Sequence, residues 1–281
     1  HNSGNTVVLD TTAAGASQGD ITVATDIVTV AMAADATLTF KANRNIVVNA
    51  GADIDATGSG NTKKLNLVFW ADQDGSGGGA IQLGASGATT TIIATNGGGV
   101  WMGGGSGSTS WTPSAGASAL TVGNGQAIGN DNSLTGWGIA AYGTSLSTAG
   151  GHVYGRGRSE KNASSADVAL GISLQGSSLS SGAGNITLQG EVANTSGTTV
   201  DITLGLTAHS GTTIASTGGA ISLTGTLDAS TRATRGAGLW LGTQLGAAAA
   251  TGDVSITSTS GAISITGSGA DAAGAGYRHG L

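Results

Sequence analysis

One short phrase returns three times, and its return limits the fold more than any other feature. It reads GAGNITLQG at 182–190, TGGAISLTG at 217–225 and TSGAISITG at 259–267. Ile186, Ile221 and Ile263 take the same place in the three copies, with spacings of 35 and 42. A second set, LGISL, LGLTA and AGLWL, recurs at Gly171, Gly205 and Gly238, with spacings of 34 and 33. Inside each phrase the apolar residues alternate. Ile263 and Ile265 fall on one face, Ser264 and Thr266 on the other, which marks a half-buried strand. The same alternation runs through GDITV (19–23), NIVVN (45–49), LNLVF (65–69) and VDITLG (200–205).

The two interleaved sets divide the longer period into rungs of roughly 17–21 residues, the size of a solenoid repeat. Such a rung has room for three short strands and three turns, and little for a helix. The expected fold is all-β, a parallel β-helix. At about 14 rungs, each rising about 4.8 Å, the rod would be roughly 65 Å long. Ile, Val, Leu and Ala should stack inward, with Gly and Asn at the corners. Residues 1–281 read as a single β-helix, with irregular insertions near 103–135 and 155–167. Its cut ends should be open sheet edges.

Composition narrows the function classes. There are 52 glycines, one proline and no cysteine, so disulfides and thiolate metal sites are excluded. Charged residues are 9%, against roughly 25% in an ordinary domain. The net charge of -6 argues against a nucleic-acid surface. No run approaches the ~20 apolar residues of a membrane span. The chain opens at His1 and closes in mid-phrase at GYRHGL, so it reads as a piece excised from something longer.

The phrases GNITLQG, GGAISLTG and SGAISITG, with VFWADQDGSGGGAIQL at 68–83, resemble the filamentous haemagglutinin-like group of large bacterial surface proteins. The resemblance implies a right-handed parallel β-helix, export, and an extracellular or bacterial cell-surface location. It implies a structural or adhesive shaft contacting other cell surfaces or surface glycans, flanked by adjoining repeats of the same chain. That group's secretion domain carries Asn-Pro motifs, and Pro113 in WTPS is the one proline here, so the likeness is to internal shaft.

Two acidic pairs are candidate metal ligands. Asp53 and Asp55 stand in ADID, and Asp72 and Asp74 in ADQD. The second pair follows the first at a spacing close to one expected rung. Stacked carboxylates would raise one another's pKa. Either a Ca²⁺ ion bridges them, or they point to solvent at a turn. An EF-hand loop from Asp72 would need Glu where Leu83 stands. The same four aspartates open two alternatives: a polysaccharide lyase or hydrolase working by paired carboxylates, and a calcium-stabilised carbohydrate-binding module. No cofactor is otherwise required.

Trp101 in GVWMG and Trp240 in GLWLG alternate with inward residues and so should face outward. Such a ring is a candidate platform for a sugar, unless an inserted loop folds over it. Arg156, Arg158, Arg232, Arg235 and Arg278 recur at similar places, a cationic edge that Glu160, Asp228 and Asp271 can neutralise. The four histidines are scattered, and the Thr spacing is too uneven for a flat ice-binding array.

Overall fold

The structure, a computed structural model, describes residues 6–11, 19–29, 31–130, 136–160, 168–193, 200–228, 233–243, 252–269 and 277–279. It is a right-handed parallel β-helix without a helix among the described residues. Three parallel sheets form its walls. Sheet A stacks Thr6–Asp10, Ala36–Lys41, Leu65–Ala71, Val100–Trp111, Val153–Ser159, Ile186–Val192, Ile221–Leu227 and Ile263–Ser268. Sheet B stacks eight strands from Ile21–Val23 to Tyr277–His279, and sheet C seven, from Ile27–Val28 to Ser255–Ser258.

Both sequence alignments hold residue for residue. Ile186 pairs with Ile221 and Ile221 with Ile263 in sheet A. Gly171, Gly205 and Gly238 fall in register in sheet B, between the pairs that flank them. The rung count is corrected, however. The two phrase sets are two walls of one coil rather than two successive rungs. One full coil runs from Ile21 to its partner Ile46, and a much longer one from Ile81 to its partner Ile139. Eight coils are traced in place of about 14, and the stack is roughly 38 Å tall at about 4.8 Å per coil. Sheet C strands have only two to four residues, too few to print a third recognisable phrase in each coil.

The alternation fills the coil. In Leu65–Ala71, the odd-numbered Leu65, Leu67, Phe69 and Ala71 point into the main core, and Asn66, Val68 and Trp70 point out. Columns of like residues run along the axis. One is Ile46, Ile81, Ile139, Ile172, Leu206 and Leu239 in sheet B, all at most 3% exposed. Phe40 and Phe69 stack in another, with ring centroids 5.3 Å apart. Each such buried side chain contributes roughly 1.5–3 kcal/mol.

The corners carry hydroxyls and glycines. Between sheets C and A, five coils repeat a Ser or Thr followed three residues later by Gly: Thr95/Gly98, Thr148/Gly151, Ser181/Gly184, Ser216/Gly219 and Ser258/Gly261. The hydroxyls of Thr95, Thr148 and Ser181 each donate to the carbonyl of the glycine three residues on, at 2.5 Å. The amides of Gly219 and Gly261 instead donate to Ser216 and Ser258, at 2.8 and 2.9 Å. A Cβ on any of these glycines would lie 1.9–2.1 Å from a backbone oxygen of the preceding coil. After this glycine comes a side chain that takes up a backbone amide of the next coil: His152 Nδ1 accepts from Asn185, and Asn185 Oδ1 from Ala220, both at 2.9 Å.

Sheets A and B close to backbone contact at a second glycine column. A Cβ on Gly190 would lie 2.0 Å from the Gly205 oxygen, and one on Gly225 1.9 Å from that of Gly238. This neck separates the main core from a small one of Ala169, Val192 and Leu227. The stretch near 155–167 is also corrected: 153–159 is a regular strand of the wall, and 161–167 lies outside the described residues.

Gly184→Ala, which places a methyl 2.0 Å from the Gly151 oxygen, is expected to cost about 3 kcal/mol in urea unfolding. Gly218→Ala, one residue from an equivalent corner with its nearest neighbour 3.6 Å away, should change stability by less than about 0.5 kcal/mol. Equal losses at the two positions would show that the column is not in contact.

Candidate functional site

Residues 103–130 of the expected insertion interrupt one coil of sheet A and build the main surface feature; 131–135 lie outside the described residues. Val100–Gly104 pairs with Leu67–Ala71 as an ordinary wall strand. Three successive glycines then let the chain leave the wall. A Cβ on Gly103 would lie 2.6 Å from the Trp101 ring, one on Gly104 2.3 Å from the Gln126 carbonyl oxygen, and Gly105 has φ +92°. The strand doubles back as an antiparallel hairpin, Ser108–Trp111 pairing with Leu120–Gly123. The chain re-enters the wall at Ala127–Gly129, beside Gly157–Ser159. The described part of an insertion expected to be irregular is thus largely strand.

The hairpin lies over the outer face of sheet A. Val122 joins Val68, Trp70 and Trp101 in a second apolar cluster, with Trp111, Leu120 and Tyr154 packed at its margin. Trp70 Nε1 donates to the Gly105 carbonyl at 2.7 Å, tying the hairpin base to the coil below. Of the two outcomes expected for Trp101, a free platform or a ring under an inserted segment, the structure shows the second. Its ring leaves the wall as alternation requires, and the hairpin covers it, so only 2% is exposed. It stacks on Tyr154 of the next coil, with ring planes 8° apart and centroids 6.4 Å apart.

Covering the middle of the face leaves a cleft on each side. The first, of about 520 Å³, is lined by Thr6, Thr37, Thr39, Lys41 and Trp70 on the coils and Thr121 on the hairpin, among others. Lys41 Nζ sits 5.1 Å from the Trp70 ring centroid and 3.3 Å from Asp10 Oδ2. The second, of about 360 Å³, is lined by Trp101, Trp111, Tyr154 and Arg156, with Thr109, Ser110 and Asn124 on the hairpin. Tyr154 and Arg156 alternate with Val153 and Gly155, so their outward direction is legible in the sequence. Trp111 and Asn124 belong to a stretch with no readable period.

The four aspartates do not stack. Asp53 and Asp55 lie on sheet C, whereas Asp72 and Asp74 follow a strand of sheet A, so the spacing between the pairs is part of one coil rather than a full rung. Asp53 Oδ1 accepts the Ile92 amide at 2.7 Å, and Asp55 Oδ1 the amide and hydroxyl of Thr57 at 2.6 Å. Asp74 Oδ1 accepts the Ser76 amide at 3.1 Å, and Asp72 Oδ1 those of Gly77 and Gly78 at 3.1 and 3.2 Å. Each closes a turn or bridges coils. Among the described residues, no three His, Cys, Asp or Glu gather as metal ligands.

Trp240 stands in a column with Ser173 and Thr207 on sheet B. It is half-buried beside an outer cluster of Leu170, Ile202, Leu204 and Ala237, and its indole N–H donates to the Thr243 carbonyl at 2.7 Å. Of the expected cationic edge, Arg158 is neutralised by Glu160 at 2.8 Å and Glu191 at 3.3 Å. Arg232 and Asp271 lie outside the described residues. Comparison with models of protein families, with curated proteins and with solved structures returns no match.

Asp72 generates a pH prediction. It is 2% exposed, and burial pushes its carboxyl up to about 6, against the opposing pull of the Gly78 and Gly77 amides. The fold therefore favours the protonated form. That contribution is full below the ordinary value of 3.8 and is lost as pH rises through about 6. Asp72→Asn keeps an acceptor for the two amides and suits the φ of +47° there. The variant is expected to be more stable at neutral pH by about 3 kcal/mol, the gap closing towards pH ~4 in paired thermal melts. Coincident melts at neutral pH would rule out a buried charge at Asp72.

Proposed function

We propose that this chain is a structural and adhesive shaft of an exported bacterial surface protein, contacting other cells or their glycans. The observation that carries the reading is the hairpin clamped across one wall of a rigid coil, with a polar and aromatic cleft on each side. Clefts of about 300–1,000 Å³ are the size that takes small ligands, and aromatic rings beside hydroxyls and amides are the surface that sugar rings favour.

The ends of the stack support the shaft half of the proposal. Val7 and Leu9 occupy inward columns of the first coil yet are 42% and 44% exposed, as is Ile263 of the last sheet A strand at 44%. Such edges call for a cover, and adjoining repeats of the same kind would extend each column without new design. The resemblance of the repeated phrases to filamentous haemagglutinin-like proteins agrees with this and with an extracellular location. A polysaccharide-cleaving enzyme and a calcium-stabilised module are the weaker readings. Both need carboxylates that converge, and Asp53, Asp55, Asp72 and Asp74 remain on separate walls.

The labelled chain is expected to bind a glycan array and intact cells saturably, with cell binding reduced at least tenfold after glycosidase treatment. A folded chain that binds neither glycans nor cells would overturn the adhesive reading.

A further inference from the structure

We propose that the cleft between the hairpin and the coil beginning at Val153 binds a carboxylated sugar residue, with Arg156 as the anchor for its carboxylate. The proposal rests on the glycan-contact reading above and names the chemistry of one subsite.

The argument begins with a contrast between two arginines on one strand. Arg156 and Arg158 both point outward from Val153–Ser159. Arg158 is held by Glu160 and Glu191, and Glu191 also accepts from the Gln126 side chain at 2.9 Å. Arg156 has no acidic partner among the described residues; its neighbour in the next coil is the neutral Gln189. A half-buried guanidinium without a counter-charge lines a cleft of about 360 Å³. It offers a planar fork of donors that matches a carboxylate two bonds at a time.

The other lining groups suit the rest of a sugar. Trp111 is half-buried at the margin of the hairpin cluster, and Tyr154 lies beside it, backed by the parallel Trp101 ring. The Tyr154 hydroxyl donates to Gln189 Oε1 at 3.3 Å, which orients its ring. Thr109, Ser110 and Asn124 are exposed on the hairpin and supply hydroxyl and amide groups for sugar hydroxyls. The whole chain carries a net charge of -6. That field opposes long, densely charged polyanions and favours a ligand whose single carboxylate meets the Arg156 guanidinium.

The test is calorimetric titration of the folded chain with an oligosaccharide containing uronic acid and with the same oligosaccharide after carboxyl reduction. The parent should bind the carboxylated form about 10- to 100-fold more tightly. Arg156→Gln should erase that preference while leaving the affinity for the reduced sugar unchanged. Arg156→Lys, which keeps the charge without the fork, should restore part of it. Trp111→Ala should weaken both sugars alike. Circular dichroism and thermal melts establish that each variant is folded. Equal affinity of the parent for the two sugars, or a preference that survives in Arg156→Gln, would overturn this proposal and leave the glycan-contact reading standing. Failure to bind either sugar, with no glycan bound on the array, would overturn both.

Discussion

The fold depends on backbone meeting backbone where side chains are absent. At Gly98, Gly151, Gly184, Gly219 and Gly261, even one methyl group would overlap the carbonyl of the coil before. Because the chain comes that close, a Ser or Thr three residues earlier can bond across the corner and hold its shape. The corner in turn sets the register of the strand that follows, so Val100, Val153, Ile186, Ile221 and Ile263 arrive one above another. The apolar columns are a consequence of this register as much as a cause of it. A slip of one residue would turn every inward Ile to solvent.

This order of causes explains which parts of the structure are legible from residues alone. The equivalence of Ile186, Ile221 and Ile263, and that of Gly171, Gly205 and Gly238, follows from alternation and spacing, and both hold. The number of coils does not follow. A strand such as Ile54–Asp55 is too short to show a period, so one wall leaves no trace and two walls read as two rungs. Miscounting the walls also puts Asp72 and Asp74 on the one that carries Asp53 and Asp55. That a strand pair rather than a loop covers Trp101 is unreadable for another reason. GGGSGSTSW has no apolar alternation to mark a strand, yet pairing with Leu120–Gly123 makes it one.

A parallel β-helix presents long columns of outward side chains, and in the later coils of sheet A many are small hydroxyls. Tyr154 is followed in its column by Thr187, Ser222 and Ser264. Against that plain background, chemistry gathers where the coil is interrupted. The hairpin supplies Trp111 and Asn124, and it sits next to Arg156, whose neighbour Arg158 is already neutralised. Scaffold and site therefore use different residues. The site side chains can change without disturbing the inward columns, and long insertions need only return to the register they left.

The way the hairpin joins the coil also determines how it bears load. Its first strand continues directly from Val100–Gly104, which lies in the wall beside Leu67–Ala71. A pull along the hairpin strands is therefore passed to that wall strand lengthwise, across its ladder of hydrogen bonds, so that several must break at once. The indole of Trp70, bonded to the Gly105 carbonyl at the junction, opposes the alternative in which the strand is lifted off and its bonds open one at a time. A tethered contact at this surface would be strained in shear, the direction in which a β-sheet resists force most strongly.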